Sequence, residues 1–214
     1  MSVTKILFSL VSLSILLYVA SNIIIPIETV YYQSLGNNLD IERIETTLSF
    51  AKKWQWLGYA ILPFVILIRV FYTSIFLFIG VFFTELKIEF EKLFKIALIA
   101  DFVYVLSGLA KLIILIFFRQ VSTLEDLQFQ PLSAMELLNS KNIDQIFVYP
   151  LSLLNVFELG YFAILAWLLF KLLNESDNER PVKFGHSLKL VTVSYGSGLL
   201  LWVLTVMFVT LNLS

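Results

Sequence analysis

The chain has 214 residues, of which 59% are hydrophobic and 14% charged, with a formal net charge of −1. Soluble domains carry about 25% charged residues, whereas here the charges are concentrated in segments between apolar runs of about 20 residues or more, the length of helix that spans a ~30 Å hydrocarbon core. That pattern excludes an ordinary water-soluble globule and a basic nucleic-acid-binding surface; with no cysteine and one histidine, His186, it also excludes thiolate and multi-histidine metal sites.

The first apolar run is Ile6–Ile27, preceded by Lys5. A secretory signal with Val19-Ala20-Ser21 as its cleavage site is the competing reading, but the run is too long for a signal core, so a retained span is expected. Asp40–Trp54 then puts Ile41, Ile44, Leu48 and Ala51 on one helical face and ends in Lys52 and Lys53, as an interfacial helix does. The second span, Trp56–Phe83, carries Arg69 near its middle and Pro63 in its first half. Glu85–Lys95 reads as another surface helix, with Leu86, Phe90, Leu93 and Phe94 at helical spacing and a Glu91–Lys95 pair.

The third span, Leu93–Phe118, contains Asp101 and Lys111. In the following loop, 119–145, Ser133-Ala134-Met135-Glu136 is a capping-box pattern ahead of Leu137 and Leu138. The fourth span, Ile146–Phe170, holds Pro150, Asn155 and Glu158, and the fifth, Leu188–Leu213, holds the small residues Ser194, Gly196, Ser197 and Gly198. Small residues in a membrane helix favour close packing against a neighbour. His186 reads as an interfacial residue at the entry to the fifth span.

With five spans, one face holds Lys5, Lys87, Lys92, Lys95, Lys171, Arg180, Lys183 and Lys189, and the other Arg43, Lys52, Lys53, Arg119 and Lys141. The excess on the first face predicts a cytoplasmic N-terminus and an external C-terminus.

A charge at the bilayer centre costs roughly 2.5–3.5 kcal/mol on insertion scales, so Arg69, Asp101, Lys111 and Glu158 are expected to face protein or water. Asp101, Tyr104, Gly108 and Lys111 fall within about 80° on one helix and form a polar stripe; Asn155 and Glu158 also share a face. Asp101 and Lys111 stand about 15 Å apart along the helix, too far to pair directly. The expectation is a charge network linking spans two, three and four, with Arg69 opposite Asp101 or Glu158. The alternative is a proton or substrate pathway lined by Asp101, Tyr104, Asn155 and Glu158, which a tight arginine partner opposes because it holds a carboxylate ionised.

Catalytic patterns find little support. Ser194–Gly198 invites comparison with intramembrane serine proteases, but Tyr195 stands where that family's motif has glycine. His186 lies eleven residues before Ser197, ~16 Å along one helix and beyond hydrogen-bond reach. No intramembrane aspartyl-protease motif surrounds Asp101 or Glu158, and no P-loop, dinucleotide fingerprint or zincin pattern occurs.

Pro150-Leu-Ser-Leu-Leu-Asn155-Val-Phe157-Glu158-Leu-Gly-Tyr161 and Ser194-Tyr195-Gly196 resemble the Yip family of five-span membrane proteins, particularly its bacterial branch. The resemblance implies five spans, a cytoplasmic N-terminus and a role in membrane traffic or membrane organisation.

The sequence therefore predicts a single all-α polytopic bundle over residues 1–214, with short interfacial helices and no cofactor, most consistent with a bacterial inner membrane. The leading functional expectation is a non-enzymatic accessory or scaffold subunit that contacts other membrane proteins or its own copies through Gly196, Gly198 and segment 85–95. A small transporter or proton-conducting subunit is the alternative.

Overall fold

The computed structural model describes residues 2–213 apart from 37–38, 85–87, 120, 122, 128, 139–142 and 177–181. Leu86, Lys87, Lys141 and Arg180 of the sequence reading lie outside the described residues. The chain is an all-α polytopic bundle, with five helical segments long and apolar enough to cross a membrane.

Helix α1 (Val3–Ile24) stops where Pro26 removes a backbone donor; the Ile25 N–H closes the last turn on the Ser21 carbonyl. Two shorter helices follow, α2 (Ile27–Leu35) and α3 (Ile41–Trp54). Their buried residues are Val30 on α2 and Ile44 and Leu48 on α3, and Lys52 pairs with Glu28 between them. Ile41, expected on the covered face, is exposed.

Helix α4 (Trp56–Phe83) is the second span and contains Pro63. The third span is built from α5 (Phe90–Ala100) and α6 (Phe102–Phe117), joined at Asp101. The Asp101 carbonyl accepts from Tyr104 N–H three residues on, a tightened turn that leaves the span continuous. The surface helix expected over 85–95 is therefore corrected over its described part: residues 90–95 form the opening turns of span three, and Leu93 is fully buried. Phe90 and Leu93 sit three apart at the start of a much longer apolar stretch, so their periodicity belongs to the span itself.

Beyond α6 come α7 (Leu124–Leu127) and α8 (Ala134–Leu137). Helix α8 has Ser133 at its N-cap, as the capping-box pattern predicts, but among the described residues Ser133 makes no capping hydrogen bond and its buried hydroxyl has no hydrogen-bond partner.

Span four runs over Val156–Glu175 instead of the continuous Ile146–Phe170 helix expected, and the first part of the expected range is a separate short helix ahead of it. Helix α9 (Gln145–Leu153) ends at Leu154, and α10 (Val156–Ser176) begins after Asn155. Pro150 weakens α9 from within. The Asn155 side chain then both closes the first helix and opens the second: its amide donates to the Ser152 and Leu153 carbonyls, and its Oδ1 accepts from the Glu158 N–H at 2.8 Å, an N-cap bond. The backbone groups freed at the break are met by the preceding loop. Ala134 N–H donates to the Leu154 carbonyl at 2.8 Å and Val156 N–H to the Leu132 carbonyl at 3.3 Å, with Leu132 in the left-handed region (φ 55°). Interrupted backbone inside a membrane protein requires such partners.

Helix α11 (Phe184–Leu213) is the fifth span. The core lies among α4, α5, α10 and α11, where Val70, Leu77, Leu93, Ala97, Tyr161, Leu165 and Val191 are fully buried. Helix α1 lies against α4, α5 and α6. Outward positions such as Phe64, Ile68, Phe82, Leu200 and Phe208 are exposed apolar groups, the surface that a lipid solvent covers.

Of the small residues of span five, Ser194 and Gly198 are buried within the chain, Gly196 is half-buried and Ser197 is exposed. A side chain at Gly198 would meet the Phe76 ring at 2.6 Å, and one at Gly80 would collide with Ser194. Gly196 faces Phe162. Gly80 and Gly198 let α11 close against α4, so Gly198 is not free for the outward contact expected of it, while Gly196 is half-buried beside Phe162.

Candidate functional site

Four spans bring polar side chains together inside the bundle. Helix α4 supplies Arg69 and Thr73, four residues apart on one face. The Asp101 turn and α6 supply Asp101 and Tyr104; α10 supplies Glu158 and Tyr161; α11 supplies Tyr195. Each pair has i,i+3 or i,i+4 spacing, which places both members on the inward face of their helix.

Arg69 binds Asp101 in a bidentate fork, Nε to Oδ1 at 2.7 Å and Nη2 to Oδ2 at 2.6 Å. Its guanidinium also lies 4.0 Å from the centre of the Tyr104 ring, a cation–π contact. Asp101 is fully buried, whereas the Arg69 side chain retains 36% exposure. The fork and the stacking explain why arginine suits this position: a lysine ammonium offers neither.

Glu158 is held differently. Its Oε2 accepts from the Tyr104 hydroxyl and its Oε1 from the Tyr195 hydroxyl, each at 2.8 Å. No lysine or arginine stands within ion-pair distance of it among the described residues. Tyr161 lies between the two, its ring centre 5.1 Å from that of Tyr104 and 5.2 Å from that of Tyr195, and its hydroxyl donates to buried Thr73 at 3.0 Å. The cluster runs Asp101–Arg69–Tyr104–Glu158–Tyr195, with Tyr161–Thr73 behind it.

The other expected members lie elsewhere. Lys111 reaches away to the Leu127 carbonyl at 2.7 Å and makes no ion pair among the described residues. Gly108 faces Leu17 of α1. The stripe predicted on span three therefore divides, its first half entering the cluster and its second half meeting α1 and the loop. Asn155 contributes through the backbone of Glu158. Of the two partners expected for Arg69, Asp101 takes it and Glu158 does not.

The Ser194 and Ser197 hydroxyls donate to carbonyls of their own helix, Leu190 and Ser194. Such back-bonding satisfies a hydroxyl in an apolar environment. No group of acidic or histidine side chains suited to a metal occurs among the described residues.

Tyr161, Tyr195 and Thr73 carry no charge, so the penalty on charge in a bilayer does not mark them in the sequence. Glu158 and Tyr161 repeat the i,i+3 spacing of Asp101 and Tyr104, so the signal was present as a second acid–tyrosine pair on a neighbouring span. Neither family models, nor curated proteins, nor solved structures give a match to this chain.

Proposed function

We propose that the protein is a small proton-exchanging membrane transporter in which Glu158 is the group that gains and loses the proton. The observation that supports this is the pairing pattern: the one strong cation in the cluster is committed to Asp101, while Glu158 is bonded by two tyrosine hydroxyls. A tight arginine partner would have held Glu158 ionised. A hydroxyl can donate or accept, so adding a proton to either Glu158 oxygen lets the facing tyrosine turn from donor to acceptor with the bond retained. Both charge states are thereby accommodated.

Of the positions named for partner contact, Gly198 is filled by Phe76 of the same chain, and residues 90–95 belong to span three. Reconstitution into liposomes under an imposed pH gradient tests the proposal. Wild-type protein is expected to dissipate the gradient, and Glu158→Gln to abolish flux while melting as the wild type does. A wild type that leaves the gradient intact, together with a destabilised Glu158→Gln, would reduce Glu158 to a cross-link between spans.

One observation favours an accessory-subunit role as a second reading. Arg69 stands near the middle of span two, is 36% exposed, and its Nη1 makes no hydrogen bond among the described residues. On this reading a membrane partner or second copy offers an acceptor there, and mild detergent extraction yields a stoichiometric complex that Arg69→Lys disrupts. Recovery of monomer alone speaks against it. The Yip resemblance adds a membrane-organising role in a bacterial inner membrane with a cytoplasmic N-terminus, and reporter fusions at the two ends test that topology.

A further inference from the structure

At the end of span one, α1, α2, α3 and Gln55 ahead of α4 line an open cleft of about 490 Å³ that belongs to neither the polar cluster nor the proposed transport. Its floor is half-buried and polar, formed by Tyr18, Asn22 and Tyr31; its rim carries Glu28, Lys52 and Gln55. Asn22 is fixed by donating to the Tyr59 hydroxyl at 3.2 Å, and Tyr18 packs edge-on to Tyr59 with ring centres 4.8 Å apart. The Tyr31 hydroxyl and the Gln55 amide make no hydrogen bond among the described residues. Ile25 and Ile27 form an apolar collar on either side of Pro26.

We propose that this cleft binds a phosphate ester bearing a primary ammonium group, with a bilayer aminophospholipid as its source. The rim presents one cation and one anion, so a zwitterion laid across it meets a complement at each end: Lys52 faces the phosphate and Glu28 the ammonium. Tyr31 and Gln55 stand ready to donate to phosphate oxygens, and tyrosine rings beside Glu28 suit a cation. The position points to lipid as the source. The cleft opens at the end of a membrane span, and the exposed rings of Phe50 and Trp54 on neighbouring α3 mark a membrane–water boundary. The Glu28–Lys52 pair is exposed on both partners, so it contributes little to folding and is free to part.

The experiment uses full-length protein in nanodiscs containing equal parts phosphatidylethanolamine, phosphatidylcholine and phosphatidylglycerol, with co-released lipid identified by native mass spectrometry. Phosphatidylethanolamine is expected to be retained about tenfold over the others, the worth of one charge-assisted hydrogen bond. Glu28→Gln is expected to erase the preference over phosphatidylcholine, whose quaternary amine has no N–H. Lys52→Gln is expected to weaken retention of all phosphate headgroups, with both variants melting as the wild type does. Equal retention of the three lipids by wild-type protein, or unaltered retention in both variants, overturns the proposal. Free phosphoethanolamine at matched concentration is the last arm: failure to displace the lipid upholds the bilayer as source, and full displacement overturns that assignment in favour of a soluble zwitterion.

Discussion

Substituting the two members of the Arg69–Asp101 fork, singly and together, should give three different outcomes. Asp101 is fully buried, while the Arg69 side chain keeps 36% exposure and rests on the Tyr104 ring. Arg69→Leu strands a carboxylate with no route to water, at a cost of about 3–5 kcal/mol. Asp101→Leu strands a guanidinium that keeps its ring contact and an open side, so its loss is nearer ~1–3 kcal/mol, the range for an unmatched hydrogen-bonding group. The double variant replaces an ion pair by two apolar side chains and is expected near the wild type, because such replacements inside proteins are often neutral. Unfolding in mixed micelles of increasing denaturing detergent, followed by tryptophan fluorescence, reads all three. Additive losses in the double variant, or a larger loss for Asp101→Leu than for Arg69→Leu, would refute this account of the pair.

Asn155→Ala removes the N-cap of α10 and should cost about 1 kcal/mol in the same unfolding assay. Gly198→Leu forces a side chain into the Phe76 ring and should destabilise the isolated monomer by about 1–3 kcal/mol; an unchanged monomer that loses only a complex would return this glycine to an outward role. Tyr195→Phe takes one donor from Glu158 and should slow proton flux without abolishing it, and the infrared band of a protonated carboxyl group should shift in Tyr195→Phe and vanish in Glu158→Gln. Lys111→Met frees the Leu127 carbonyl and should leave the bundle intact while speeding proteolysis between residues 120 and 130.

The span count follows from apolar run length because a bilayer imposes that length whatever the tertiary contacts. The inward placement of Asp101, Tyr104 and Glu158 follows from helical spacing and the penalty on lipid-facing charge. Other features depend on how the helices meet. Arg69 had two carboxylates at similar depth, and choosing between them needs the rotation of α4 relative to α5, which packing around Leu77 and Leu93 decides. The break at Asn155 needs partners from Leu132 and Ala134, more than twenty residues away and invisible to a local window. Glycines at 196 and 198 announce close approach but not to what; Phe76 and Phe162 supply the answer from other spans.

The loop that completes the backbone of span four precedes it in the chain. Leu132 and Ala134 are synthesised before Leu154 and Val156, so the peptide groups left open by the helix break find acceptor and donor already waiting when they leave the ribosome. Vectorial synthesis thus spares the entry to this span an interval with unpaired backbone groups. A rearranged gene that placed residues 143–213 ahead of residues 2–138 would forfeit that head start, and its product should insert less efficiently even though every native contact remains possible.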